Sequence, residues 1–222
     1  AAAGGGGAEV GPRGRILPVA ELAIPGLHNV SNALAAVAVA LLFGVAPDAI
    51  RSAAAGFAGV EHRLERVAVV DGVVFVNDSQ GTQPDAVIAA LRAFSRPLVL
   101  IAGGRDKGVD LSGLGPVAAE RADAAVLIGE SGPALAEMFR GHGMKRVELA
   151  STLEEAVVRG DAIARGLLGG TDAVHSSGPA TVLLSPAAAS FDMFVDYAAR
   201  GRAFKEAVAE LAERRRVVGS SR

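Results

Sequence analysis

The chain has 222 residues, half of them hydrophobic, with 22 basic and 24 acidic residues and a formal net charge of −2. This near balance of charge excludes a broad attraction to nucleic acid or to an anionic membrane surface. The absence of cysteine excludes disulfides, a thiolate nucleophile and cysteine-ligated zinc.

The chain begins with a segment rich in Gly and Ala, residues 1–14, for which we predict flexibility. The segment lacks the charged and apolar regions of a signal peptide. Its first residue is Ala1 rather than Met, so we expect the sequence to be a fragment of a longer chain. The following stretch, RILPVAELAI, has weak strand character.

A first helical region follows. The apolar run 33–46 is too short to span a membrane comfortably and predicts a buried helix. Asn29 and Ser31 are candidate N-caps for this helix, and Gly44 is a plausible end point. A second short helix is predicted over 46–60, with Pro47 in its first turn. The polar segment GVEHRLERV, 59–67, indicates a hinge or a domain boundary.

After this boundary the pattern changes to strands that alternate with helices. RVAVV and GVVFVN predict a hairpin that turns at Asp71 and Gly72. Short apolar runs then alternate with segments of helical spacing, which is typical of a sheet covered on both faces. We therefore predict an α/β fold with a Rossmann-like, doubly wound, mostly parallel sheet. The predicted helices are 84–94, 110–122, 132–143, 152–168 and 190–216, and the predicted strands are 97–104, 124–129, 145–150 and 180–187.

Three polar segments follow predicted strands: NDSQGTQP (77–84), AGGRDKG (102–108) and SPAAASFD (185–192). Ligands bind outside the carboxyl ends of the strands in such sheets, so these segments predict a binding cleft. A structural alternative remains open for each segment. Asn77, Asp78 and Ser79 could cap the next helix. Ser185 or Ser190 could open the last helix, and Arg105 and Lys107 could be solvated.

Two common kinds of site are missing from the sequence. Neither G-x-x-x-x-G-K-[ST] nor G-x-G-x-x-G occurs, which weakens a dinucleotide-dehydrogenase interpretation. The histidines His28, His62, His142 and His175 form no metal-spaced pair, so no metal ligands are predicted in this chain. We predict that His142 and His175 lie in exposed loops.

Five motifs together resemble the Mur ligase family. HNVSNALAA, GVEHRLE, NDSQGTQP, AGGRDKG and LLSPAAASFDMF occur in that order from His28 into the last predicted helix. The NDS and LLSPAAASFD segments are most similar to the branch of the family that adds D-glutamate. The resemblance implies a peptidoglycan-synthesis ligase that joins D-glutamate to UDP-N-acetylmuramoyl-L-alanine, using ATP with Mg²⁺ and an acyl-phosphate intermediate.

The resemblance also implies a domain organisation. Mur ligases have a UDP-binding domain, a central ATPase domain with a P-loop and a C-terminal amino-acid-binding domain. By this comparison residues 1–59 are a helical remnant of the central domain, 60–216 are the C-terminal domain and 217–222 are a tail. We expect 60–216 to fold independently and the remnant, which lacks its sheet, to expose apolar surface. The P-loop and the metal ligands would lie outside this chain, so we expect the isolated chain to be an inactive bacterial cytoplasmic monomer.

The resemblance assigns roles to individual residues. For ATP, Asn32 resembles an adenine contact, Arg63 a contact to the ribose and phosphates, and Asp78 an acceptor for a ribose hydroxyl. The residues that resemble D-glutamate contacts are Thr82, Lys107, Ser190, Phe191 and Tyr197. No catalytic residue is assigned within this chain.

The motif at 78–83 departs from the family, which commonly has DSKATN where this chain has DSQGTQ. Gln80 thus occupies the position of a lysine, and Arg105 is our candidate for a replacement cation. Gly81 and Gln83 replace an alanine and an asparagine. Two other functions stay open: a stand-alone, non-catalytic module that binds a small acidic metabolite, and a related ligase for another amino acid.

Overall fold

The computed structural model describes residues 14–169 and 178–219. The predicted flexible start and His175 therefore lie outside the described residues, as does most of the loop 168–180. The chain divides into two compact units, Ala1–Gly59 and Val60–Arg222, which are described separately. Within the described ranges, no helix is long and apolar enough to cross a membrane.

The second unit contains the strands β1 Glu65–Val70, β2 Val73–Asn77, β3 Leu98–Gly103, β4 Ala124–Ile128, β5 Arg146–Leu149 and β6 Ala180–Leu184. They form one sheet in the order β1-β2-β6-β3-β4-β5. β1 and β2 form an antiparallel hairpin, and every other neighbouring pair is parallel. The turn residues Asp71 and Gly72 both have positive φ, which confirms the predicted hairpin.

Helices cover both faces of this sheet, which confirms the predicted doubly wound α/β fold. The helices of this unit are α3 Pro84–Ala93, α4 Leu114–Arg121, α5 Gly132–Gly141, α6 Leu153–Gly169 and α7 Tyr197–Gly219. Successive strand residues alternate between two cores: Leu98 and Leu100 pack with α3, α4 and α5, whereas Val99 and Ile101 pack with α6 and α7.

The last helix differs from the prediction at both ends. We predicted that it begins at Ser190, but α7 begins at Tyr197, so Ser190 does not cap it. The carbonyl of Ser190 instead accepts the N–H groups of Met193 and Phe194 in a turn before the helix. At the other end α7 continues to Gly219, beyond the predicted end of the helix at residue 216.

The first unit contains a short 3₁₀ helix, Val19–Glu21, followed by α1, Leu27–Leu42, and α2, Pro47–Gly56. The weak strand predicted over 15–24 is therefore wrong. Gly44 has φ +76° directly after α1, and Pro47 is the first residue of α2; both helix-boundary predictions are confirmed. The predicted caps are wrong, because α1 begins at Leu27, ahead of Asn29 and Ser31.

The predicted burial of the 33–46 helix is also wrong. The only buried residue of α1 is Asn29, whose amide donates a 2.7 Å hydrogen bond to the Pro25 carbonyl. Leu42 and Phe43 are 86% and 84% exposed. Two helices and one 3₁₀ turn cannot enclose so apolar a segment, which confirms the expectation of exposed apolar surface in this unit.

Candidate functional site

The three polar segments identified in the sequence meet at one edge of the sheet. β6 lies between β2 and β3 and is parallel to both, with Leu184 opposite Asn77 and Ile101. The backbones that follow these strands are also linked. Gly103 N–H donates to the Pro186 carbonyl at 2.8 Å, and Ala187 N–H donates to the Gly81 carbonyl at 3.0 Å. The segments predicted to form one cleft therefore lie side by side.

Asp78 lies at the centre of this edge and is only 4% exposed. Its Oδ1 accepts the backbone N–H of Leu64 at 3.2 Å, and its Oδ2 accepts the hydroxyl of Ser185 at 2.7 Å. Burial raises the pKa of the Asp78 carboxyl to about 6, although the Ser185 and Leu64 hydrogen bonds and the charge of Arg63 act in the opposite direction. The group is therefore close to titrating at neutral pH.

Gly81 leaves the space that the Asp78–Ser185 pair requires. A Cβ at this position would lie 2.8 Å from Ser185 Oγ and closer still to Asp78 Oδ2. The family commonly has an alanine at this position. In this chain the Asp78 carboxylate packs so closely that only a glycine fits without a shift. Its neighbour Gln80 donates its backbone N–H to the His62 carbonyl at 3.0 Å, so the turn is also held from the β1 side.

The alternative interpretation of NDS as a helix cap is wrong. α3 begins at Pro84, the residue at its N-cap position is Gln83, and no side chain caps the helix. Asn77 instead donates to Glu65 Oε2 at 3.0 Å and to the Gly201 carbonyl at 3.3 Å. The hydroxyl of Ser79 donates to the Tyr197 carbonyl at 2.7 Å. These polar side chains therefore tie the strand end to β1 and α7.

Lys107 joins two of the segments, because its Nζ donates to the Thr82 carbonyl at 2.5 Å. The side chain is otherwise exposed, and among the residues the structure describes it forms no ion pair with a carboxylate. Partial burial lowers the pKa of the Lys107 ammonium, with a further contribution from the charge of Arg200. A cation that donates a hydrogen bond to a neutral carbonyl can still bind an anionic ligand.

The other residues predicted to contact D-glutamate surround the turn after β6. Ser190 is buried, and the carbonyl of the preceding Ala189 accepts the backbone N–H of Arg105 at 2.9 Å. Phe191 and Tyr197 are 66% and 41% exposed. The Tyr197 ring meets His62 edge-on, with 6.3 Å between the ring centroids. These side chains thus border the sheet edge, while their ligand roles stay predictions.

Arg105, our candidate for the replacement cation, forms an ion pair with Glu130, with 3.3 Å between Nε and Oε2. The pair is exposed on both sides, so Arg105 can exchange this partner for a ligand at little cost. Arg63 is exposed as well. In the first unit, Asn32 is exposed and donates to Asn29 Oδ1 at 3.3 Å; it lies inside α1 and does not cap it.

Sequence reasoning missed Arg200, a fully buried arginine at the base of this edge. It lies on α7 in line with the buried residues Phe204, Val208 and Leu211, at helical spacing. The signal that could have revealed Arg200 is a charged residue at a position that belongs to the apolar face of the predicted helix. Its Nε donates to Ser79 Oγ at 3.0 Å, and its Nη2 donates to the Ser79 carbonyl at 2.9 Å.

One group of side chains has the composition of a metal site. Potential ligand atoms of Glu61, His62 and Glu65 lie within 4.8 Å of one another. The ammonium of Lys205 pairs with both carboxylates and is 3.1 Å from Glu65 Oε1. The two acidic groups are therefore already paired with a cation of the protein. Of the histidines predicted in exposed loops, His142 is exposed.

The chain resembles curated D-glutamate ligases in sequence. It is 43% identical over 192 residues to the UDP-N-acetylmuramoylalanine–D-glutamate ligase of Pelotomaculum thermopropionicum, covering 86% of this chain and 39% of that protein. The corresponding ligase of Caldicellulosiruptor bescii is also 43% identical, with the same shares over 191 residues. The chain thus spans about two fifths of the length of these relatives.

Solved structures show the same fold at lower identity. A folylpolyglutamate synthase from Mycobacterium tuberculosis, solved with ADP, matches with a TM-score of 0.64 and 22% identity over 84% of this chain and 41% of its own. UDP-N-acetylmuramate-alanine ligase from Thermotoga maritima matches with a TM-score of 0.57 and 22% identity, over 85% and 39%. The family model described as Mur ligase, glutamate ligase domain, matches residues 62–177. By that match, the chain belongs to the Mur ligase family.

Proposed function

We propose that this chain supplies the amino-acid-binding domain of an ATP-dependent ligase that adds D-glutamate to UDP-N-acetylmuramoyl-L-alanine. The reaction belongs to peptidoglycan synthesis, and we place it in the bacterial cytoplasm. The sequence relatives support this activity because they carry the name of that ligase. Residues 60–216 would form the amino-acid-binding domain, and residues 1–59 would belong to the central ATPase domain.

The Lys107–Thr82 contact is the observation that carries this proposal. It joins the ends of β3 and β2 and holds an ammonium group at the sheet edge without a carboxylate partner among the described residues. Such a cation suits one carboxylate of an acidic amino acid. Thr82 and Ser190 carry hydroxyls that can donate hydrogen bonds to the same ligand, and Phe191 and Tyr197 provide apolar surface beside them.

ATP is the cofactor that the family requires, together with Mg²⁺. When bound, ATP supplies the phosphoryl group that activates the substrate carboxylate. The chain offers Asn32 for the adenine, Arg63 for the ribose and phosphates and Asp78 for a ribose hydroxyl. Asp78 fits this role because each of its oxygens has a second lone pair beyond the bonds to Leu64 and Ser185. We assign no Mg²⁺ ligand to this chain, because Lys205 already pairs with Glu61 and Glu65.

The activity can be tested on the complete gene product. Phosphate release is measured with ATP, Mg²⁺ and UDP-N-acetylmuramoyl-L-alanine, in the presence of one amino acid from a panel at a time. We expect release that depends on D-glutamate. A preference for another amino acid would identify a related ligase instead. Binding of D-glutamate with no nucleotide effect and no phosphate release would favour a non-catalytic binding module.

The gene provides an independent test. An open reading frame that continues upstream of Ala1 and encodes a G-x-x-G-K-[ST] loop would support the ligase, because that loop holds the phosphates. A stop codon directly before a genuine start codon would leave the binding module as the better explanation.

A further inference from the structure

Arg200 is a buried cation that no carboxylate neutralises directly. It is 1% exposed. Its donors reach neutral oxygens: Ser79 Oγ and carbonyl, and the Ala188 and Ala189 carbonyls, both 3.3 Å from Nη1. Within residues 14–169 and 178–219 it forms no ion pair with an acidic side chain. Buried charges are normally paired, because removing an ion from water is energetically unfavourable.

The charge of Asp192 attracts Arg200 without forming an ion pair with it. The Oδ2 of Asp192 accepts the backbone N–H of Glu130 at 2.9 Å, and its Oδ1 is buried with no hydrogen-bond partner among the described residues. Burial lowers the pKa of the Arg200 guanidinium to about 10, against this attraction, so the group is still charged at neutral pH. The fold therefore maintains a positive charge in its interior that local dipoles stabilise and do not cancel.

This charge lies directly behind the residues proposed to hold the amino acid. Ser79 belongs to the same turn as Thr82, and Ala189 directly precedes Ser190. In the segment AGGRDKG (102–108), Gly104 leaves room for the guanidinium, because a Cβ there would lie 3.1 Å from Nη1. Lys107 experiences the same charge, which contributes to lowering the pKa of its ammonium. Arg200 thus acts on all three segments at the edge.

We propose that Arg200 is a specificity-determining residue that selects an amino acid with two carboxylates, through a buried positive charge behind Thr82, Lys107 and Ser190. This inference rests on the proposed function. Lys107 can pair with one carboxylate of the amino acid as an exposed point charge. The electrostatic field of Arg200 favours binding of the second carboxylate. A charge in a low-dielectric interior acts more strongly, and salt screens it less, than a charge at the surface.

The test compares D-glutamate with D-glutamine, which have nearly the same shape but differ by one negative charge. Their dissociation constants are measured by calorimetry on the complete gene product, with Mg²⁺ and a non-hydrolysable ATP analogue. Arg200→Gln retains hydrogen-bond donors and removes the charge; we expect it to reduce the preference for D-glutamate on the order of tenfold. Arg200→Lys retains the charge and should restore most of the preference.

Arg202→Gln is the matched control, because it makes the same change at an exposed position of the same helix. We expect it to leave the preference unchanged. If Arg200→Gln weakens the binding of D-glutamate and of D-glutamine by the same factor, Arg200 acts only structurally and the inference is overturned. If that variant does not fold, Arg200→Lys and the unaltered protein still test the inference. Their preference for D-glutamate over D-glutamine should persist at high ionic strength. Loss of this preference at high ionic strength would assign the selectivity to Lys107.

The same measurement distinguishes the inference from the proposed function. Unaltered protein that binds D-glutamate and D-glutamine equally well would reject the inference alone. Unaltered protein that binds no D-glutamate would reject the proposed function and the inference with it.

Discussion

The hydroxyl of Ser185 donates a 2.7 Å hydrogen bond to Asp78 Oδ2 and thereby links the ends of β6 and β2. The pair is buried, so the carboxylate loses most of its hydration when the chain folds. This loss outweighs the hydrogen bonds that favour the charged form, and the pKa of Asp78 rises from 3.8 to about 6.

The raised pKa predicts that ionised Asp78 destabilises the fold. The unfolded chain releases this proton near 3.8 and the folded chain near 6. Stability therefore decreases as pH rises through that interval, by roughly 3 kcal/mol in total, and the loss stays constant above it. Asp78→Asn removes this pH-dependent contribution to the free energy of unfolding. Relative to the unaltered chain, its free energy of unfolding should increase as pH rises from about 4 to about 7.

Denaturant titrations at several pH values would check this prediction. Unfolding is monitored by the fluorescence of Tyr197, the sole tyrosine in a chain without tryptophan. Glu120→Gln is a suitable control because Glu120 is an exposed carboxylate on α4. Its effect should not change over the same pH interval. A constant difference between Asp78→Asn and the unaltered chain would show that the buried carboxyl does not titrate as proposed.

A second prediction concerns Gly81. Gly81→Ala restores the residue common in the family, but the new Cβ would lie 2.8 Å from Ser185 Oγ and closer to Asp78 Oδ2. We expect the Asp78–Ser185 hydrogen bond to break and the free energy of unfolding to fall by about 1–3 kcal/mol. Gly141→Ala is the control, because its added Cβ would have no atom within 4 Å beyond its chain neighbours and the backbone of its own helix. Equal stability of the two variants would mean that the turn at 78–82 adapts without strain.

The order of strands and helices in the second unit was largely predictable. β3 and β4 are continuous apolar runs, and β6 is interrupted only by Thr181, which is typical of strands buried on both faces. The turn at Asp71 and Gly72 is a local signal that depends on the positive φ of both residues. Once the sheet was predicted as parallel, the convergence of the three polar segments at one edge followed from topology alone.

The remaining features depend on contacts between residues distant in sequence. Ser190 resembled the start of a helix, but the carbonyls that follow β6 bind Arg200, and α7 begins only at Tyr197. Asp78 resembled a helix cap, but its partner is Ser185, which directly follows β6. Burial of α1 was inferred from its composition, but burial depends on which partner surfaces are present.

A third prediction tests the role of Lys107. Lys107→Ala removes the ammonium bound to the Thr82 carbonyl and should weaken D-glutamate binding by about 1.5–3 kcal/mol, which is the contribution of a charged hydrogen bond. The measurement is the KM for D-glutamate or its dissociation constant in the complete gene product. Lys145→Ala, at an exposed lysine before β5, should leave both values unchanged. An unaltered KM in Lys107→Ala would reject the proposed contact.

A fourth prediction concerns the apolar surface of the first unit. Residues 14–22 and α1 line an apolar groove of about 260 Å³, to which Ile16, Val30 and Leu34 contribute. Beyond the groove, Leu42 and Phe43 expose most of their side chains at the end of α1. We expect this surface to bind a hydrophobic fluorescent dye in the folded chain, because contiguous exposed apolar area of this kind is typical of an interaction surface.

The double variant Leu42→Gln and Phe43→Gln should reduce the dye fluorescence and leave the unfolding followed by Tyr197 unchanged, because that residue lies in the other unit. Val69→Gln is the control: Val69 is also exposed, at 53%, but it lies on β1 of the second unit. It should change the dye signal little. If the double variant binds as much dye as the unaltered chain, the end of α1 is covered in solution and the expectation of exposed apolar surface there is wrong.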